Sequence, residues 1–165
     1  MSKNLLIRNR QRLVQLNTHQ LHAIATAVLE EFLKTPDFDL AVYIVRAPEM
    51  ARLNETFLQH EGSTDVITFD YSEPETSSPA AAKHSLHGEI FICIDDTLSQ
   101  ARQFGTKWPG ELVRYVIHGF LHLKGFDDTT PTARRKMKKV ENRLVKKVSR
   151  LFALSKLAGG SKLRA

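Results

Sequence analysis

The residue types and spacing best suited to chemistry lie in Val116-Ile117-His118-Gly119-Phe120-Leu121-His122. Two histidines four positions apart leave a helix on the same face, so their imidazole tips can meet on one ion. Three residues later Gly125 can take positive φ and end that helix, and Asp128 arrives on the returning chain, where its carboxylate would close the site. The pattern H-x-x-x-H-x-x-G-x-x-D has the ligand spacing of the extended zincin motif. Gly119, however, stands where a protease would hold its catalytic glutamate, which disfavours peptidase chemistry. Three protein ligands with a fourth position open would let zinc lower the pKa of a bound water to about 7, the design of a metal-dependent hydrolase. A single histidine on an apolar helix is more often a hydrogen-bonded core residue, and an aspartate after a helix end, such as Asp128 with Asp127 adjacent to it, often satisfies turn amides instead of binding a metal. For two neighbouring imidazoles followed by a glycine and a carboxylate, the metal is the stronger reading.

The helix that must carry this pair begins near Trp108-Pro109-Gly110-Glu111 and runs through Leu112, Val113, Val116, Ile117 and Leu121, largely apolar and therefore central. Upstream, Leu21, Ile24, Ala25, Val28, Leu29 and Phe32 recur at helical spacing from Thr18, which could cap that helix, to Leu33. Leu40 to Val45 reads as a strand, and Pro48 opens a short helix ending near Leu58. Asp65 to Phe69 is β-branched and aromatic, and Glu89 to Ile94 suits a strand buried on both faces. Between them, Tyr71 to His84 has no periodicity and reads as an exposed, mobile loop. Asp95 to Phe104 looks helical with Gly105 as its cap. A last helix spans about Thr132 to Leu154, with Met137, Val140, Leu144, Val148 and Leu151 on its apolar stripe. The expected fold is α+β: a small mixed sheet of about four strands packed against about five helices, the central helix bearing the histidines.

At 165 residues the chain fits one domain, expected over 1–157, with a flexible basic tail over 158–165 after Gly159-Gly160-Ser161. Hydrophobic residues at 42% and charged residues at 25% exclude a disordered or fibrous class. No apolar run is long enough for a membrane span, and the first residues, MSKNLLIRNRQRL, lack the form of a secretory signal, so a cytoplasmic location is expected. The lone Cys93 sits in an apolar run and reads as core. The net charge of +6 is terminal. After Asp128 there are 12 Lys or Arg against Glu141, while the preceding part carries 12 against 17 acids. Such a segment suits a polyanion, though a solvated basic helix explains it equally well. Met137 reads as core, and His19, His22, His60, His84 and His87 as surface or capping residues, of which only His60 and His87 are candidates to approach the site.

With these residues in hand, the chain resembles the YbeY family of bacterial endoribonucleases, whose signature is H-G-x-L-H-L-x-G-[YF]-D-H. It stands here as His118-Gly-Phe-Leu-His122-Leu-Lys-Gly125-Phe-Asp127-Asp128. The likeness extends through Leu53-Asn54, Ser63 to Phe69, Gly88-Glu89-Ile90, Met137 and Glu141. The resemblance implies a zinc hydrolase of single-stranded RNA, one ion per chain, partnered with the small ribosomal subunit and the 3′ end of its 16S RNA. Two departures stand out. Asp128 replaces the family's third histidine, which widens the choice of metal to iron, manganese or nickel, and Leu58 stands where the family carries an arginine. Thr64 and Asp65 carry over as site-lining residues, with capping of a strand start as the plainer role for both. Arg134, Arg135, Lys138 and Lys139, just beyond the site, are candidates for RNA binding. No residue declares itself a general base, and two alternatives stay open: a ribosome-assembly RNA-binding protein whose metal is structural, and a zinc hydrolase of a non-RNA substrate.

Overall fold

The computed structural model describes residues 2–58, 64–72 and 85–159. In chain order its elements are β1 (Lys3–Asn9), α1 (Thr18–Ala27) with a widened last turn Val28–Phe32, β2 (Asp37–Val45) and α2 (Ala47–Leu53), which continues as a wide turn Asn54–Leu58. Then come β3 (Val66–Asp70), β4 (Ser85–Cys93), α3 (Ile94–Phe104), α4 (Trp108–Lys124), α5 (Pro131–Leu151) and a short turn Leu154–Leu157. The four strands form one mixed sheet in the order β1-β2-β4-β3, in which β2 pairs parallel with both β1 and β4, and β3 lies antiparallel to β4. The α+β architecture expected from the sequence is therefore the one observed.

Inward-facing Leu40, Val42 and Ile44 of β2 and Leu86, Ile90 and Ile92 of β4 meet α1 and α4 in the main core. There Phe120 is fully buried and alone contributes roughly 1.5–3 kcal/mol. A second cluster, Val45, Met50, Ile67, Phe91 and Cys93, lies beneath α2, and Cys93 is core as its apolar setting suggested. The central helix crosses β4 at Gly119. A Cβ there would stand 2.8 Å from both Cδ1 and Cγ2 of Ile90, so only glycine lets the helix sit this close to the sheet. The position that would hold a protease's glutamate thus faces packed sheet. Among the described residues no helix is long and apolar enough to cross a membrane.

Some boundaries differ from the sequence reading. Asn17, not Thr18, caps α1, its side-chain oxygen accepting from the Gln20 amide at 3.1 Å. The chain has already entered the helix by Thr18, whose own side chain comes one position too late to reach that amide. The strand β1 went unread. Its apolar core is only Leu5-Leu6-Ile7, and parallel pairing with β2, helped by a 3.0 Å contact between His22 Nε2 and the Leu5 carbonyl, is what holds it. Helix α5 stops at Leu151, which is 60% exposed and off the buried stripe. Past it, Ala158 bridges to Leu16 and the Gly159 amide donates to Gln15, so the chain is tied down where the tail was placed to begin. The rest of that tail, most of the 71–84 loop, and His60, Ser63 and His84 lie outside the described residues.

Candidate metal centre

Helix α4 supplies the rigid half of the site. His118 and His122 lie one turn apart near its C-terminal end, their Nε2 atoms 3.1 Å from each other and their rings nearly perpendicular. Gly125 adopts φ 108°, a conformation a side chain would resist, and closes the helix through its amide to the His122 carbonyl. The chain then reverses, and the two aspartates that follow divide the work. Asp127 accepts from the Thr129 amide and hydroxyl, both at 2.9 Å, which builds the turn and holds its carboxyl below the usual range. That frees Asp128 to point back at the helix, with Oδ2 3.5 Å from His122 Nε2 and 3.7 Å from His118 Nε2. Arg134, from the first turns of α5, donates to the Asp128 carbonyl at 3.2 Å and pins the turn from the other side.

Both imidazoles are oriented from behind. His118 Nδ1 lies 2.9 Å from Oε2 of Glu141, and His122 Nδ1 lies 3.2 Å from the Phe126 carbonyl. Because a carboxylate and a carbonyl can only accept, each Nδ1 carries the proton, and each Nε2 turns its lone pair inward. With both rings neutral, two lone pairs and a carboxylate oxygen then converge on one point, where a metal ion or a proton would relieve their repulsion. The three donor atoms lie within 4.8 Å of one another, and their separations of 3.1, 3.5 and 3.7 Å fit the roughly 3.3 Å spacing of ligands around a tetrahedral zinc. Two nitrogens and one carboxylate oxygen also suit other divalent transition metals. The histidine side chains are 26% exposed and that of Asp128 40%, so the site opens to solvent on the side of the turn.

Glu141 is the residue that sequence reasoning passed over as a site element. Only 4% exposed, it accepts from Arg114 at 2.8 Å on one oxygen and from His118 on the other. Burial works to raise its pKa, but these two hydrogen bonds outweigh burial and keep the carboxyl below the usual range. The clue in the sequence was position: the single acid of α5 falls four residues after Met137 and three before Leu144, on the helix's buried stripe, where a carboxylate needs partners. Arg114, one turn before His118 on α4, was missed as well.

Around the centre opens a cavity of about 450 Å³ whose walls include His118, Asp128, Glu141, Tyr115, Asp65 and Arg134. Arg135, Lys138 and Met137 also line it, whereas Lys139 does not. Asp65 both faces the cavity and accepts from the Val66 amide at 2.9 Å, so the wall role and the strand-capping role coexist in one side chain. The Thr64 hydroxyl donates to Asp65 at 3.5 Å rather than lining the cavity. Leu58 is 43% exposed and is not part of the cavity wall. His87 does not approach the site. Strand alternation turns it to the sheet face opposite Gly88, whose missing Cβ abuts Leu123 of α4, and its ring meets Tyr71 instead.

Comparison with known proteins shows what the chain is similar to. A family model described as Endoribonuclease YbeY matches residues 6–149. Among individual relatives, proteins called Endoribonuclease YbeY are 32% identical over 109 residues in Salinibacter ruber, covering 66% of this chain and 69% of that one. The relative in Bacteroides thetaiotaomicron is 35% identical over 105 residues, covering 64% and 70%. A solution structure of a Thermotoga maritima protein superimposes with a TM-score of 0.64 at 24% identity, over 98% of this chain and 99% of the other, a likeness of fold.

Proposed function

This chain belongs to the Endoribonuclease YbeY family, and on that premise we propose that it is a metal-dependent endoribonuclease of single-stranded RNA. Its place is in maturation of ribosomal RNA, at the 3′ end of the 16S RNA during assembly of the small ribosomal subunit in the cytoplasm. The observation that carries the reading is the pair of inward Nε2 lone pairs, each fixed by an acceptor behind its ring and joined by the Asp128 carboxylate. His118, His122 and Asp128 would hold one divalent ion, with zinc the first candidate. When bound, such an ion supplies Lewis acidity toward a phosphate oxygen and toward water.

The remaining work falls to the chain's own groups. Glu141 keeps the His118 ring turned to the site, and the hydrogen bonds from His118 and Arg114 together keep Glu141 ionised. Arg134, Arg135 and Lys138 on the cavity wall, with Lys139 beside them, would take the phosphates of a strand entering the cavity. Asp65 also lines the cavity, and Thr64 steadies it. Each of these side chains acts on position and charge, the two means by which phosphodiester chemistry is accelerated once a nucleophile is supplied.

The test is cleavage of a fluorogenic single-stranded RNA by protein of measured metal content, set beside His118→Ala. We expect about one divalent ion per chain, cleavage by the wild type, and loss of both in the variant. Stoichiometric metal without cleavage, together with co-sedimentation on small subunits, would favour an RNA-binding assembly factor. Leu58, exposed where the family carries an arginine, is the residue that keeps that second reading in view.

A further inference from the structure

Helix α5 carries more positive charge than the cavity can use. Arg135, Lys139, Arg143, Lys146 and Arg150 recur at intervals of four, four, three and four, which places them along one solvent-facing line, and all five are exposed. None of the five makes an ion pair with a described carboxylate; Glu141, the helix's single acid, faces the other way into the metal centre. Like charges at three- and four-residue spacing repel and weaken a helix, so this line costs the helix some of its own stability. The line starts at Arg135 on the cavity wall and leads away from it, towards the end of α5 where Lys147 lies over the Phe32 ring.

We infer that this ridge is a phosphate track, along which a single strand of RNA continues outward after one end has entered the metal-bearing cavity. The inference rests on the RNA reading above and adds a second binding segment beyond the cavity: Arg143, Lys146 and Arg150. From Arg135 to Arg150 a helix rises about 22 Å. At roughly 3.4 Å per nucleotide of stacked strand, six or seven phosphates would span it. Evenly spaced charges with no aromatic residue among them bind backbone and not bases, so the track would set affinity and the direction of approach while leaving sequence choice to the cavity.

The test replaces the distal part only, as the triple variant Arg143→Gln, Lys146→Gln, Arg150→Gln. Binding of labelled 2′-O-methylated oligouridylates of about 4 and about 12 nucleotides is measured by fluorescence anisotropy across a salt series, the lengths chosen to cover the cavity end or the full ridge. For the long strand the slope of log K against log salt should fall by about 2, and affinity at 0.1 M salt by on the order of 100-fold, while the short strand is bound as by the wild type. The triple variant should melt no lower than the wild type at low salt, because repulsion has been relieved. An unchanged slope for the long strand overturns the track and leaves the nuclease reading standing. Loss of binding to phosphatidylserine vesicles with RNA binding intact would overturn it in favour of a membrane-facing ridge, and a lower melting point in favour of a structural one. If the wild type binds neither oligonucleotide, the track and the RNA reading fall together.

Discussion

Replacing Glu141 with glutamine keeps the shape of the side chain and changes its hydrogen-bonding sense. In the native arrangement both carboxylate oxygens accept, one from His118 Nδ1 at 2.9 Å and the other from Arg114 at 2.8 Å. A glutamine has one accepting oxygen and one donating nitrogen, so whichever way it is turned a donor meets a donor. If the nitrogen faces Arg114, a part-buried guanidinium contact is lost. If it faces His118, relief comes by moving the ring proton to Nε2, which removes the lone pair offered to the metal. Changes of this kind behind a metal-binding histidine weaken metal affinity by about 10- to 100-fold, equivalent to about 1.4 to 2.8 kcal/mol. Titration of metal-free Glu141→Gln against a chromophoric chelator at neutral pH should show that loss. Its melting temperature without metal should also fall, since hydrogen bonds to a charged group are worth roughly 1.5–3 kcal/mol. Affinity within twofold of the wild type would refute the claim that Glu141 sets the tautomer of His118.

Three further outcomes are expected. Gly119→Ala should destabilise the protein by roughly 1–3 kcal/mol in chemical denaturation, because its methyl would meet Ile90 at 2.8 Å and push α4 off β4; an unchanged midpoint would mean that the helix has room to spare. Burial pushes the Cys93 thiol up to about 11, so alkylation of the folded protein at pH 8 should be far slower than in denaturant, and equal rates would contradict its place in the core. Asp95 accepts from Arg46 at 3.0 Å and from the Ala47 amide at 2.8 Å, which holds its carboxyl below 3.8. Its contribution is complete above that unfolded value and is lost as pH falls through the lower folded one. The melting temperature of Asp95→Asn should therefore lie below that of the wild type at pH 6, with the gap closing as the pH falls below 3.8; a constant gap would show that ionisation is not involved.

How far the sequence could be read depended on the range of the forces involved. Helices α1, α3, α4 and α5 announce themselves through periodic apolar residues, and Gly105 and Gly125 mark the ends of α3 and α4 because a left-handed residue is a local requirement. Strand β1 has no such local signature; its structure is given by β2, distant in sequence, to which it pairs in parallel. The histidine pair was legible because a helix converts a spacing of four into adjacency. The division of labour between Asp127 and Asp128 was not, since it turns on which carboxylate the Thr129 amide captures. Arg114 and Glu141 lie on different helices, and only the packing of α4 against α5 brings them together behind His118.

The clasp between the two ends of the described chain has its own consequence. Leu16 bridges Ala158, the Asn17 amide donates to the Leu157 carbonyl at 2.8 Å, and Leu157 is wholly buried. Joining segments so remote along the polymer carries one of the largest loop-closure costs in the molecule. The clasp should therefore be among the last contacts to form and the first to open.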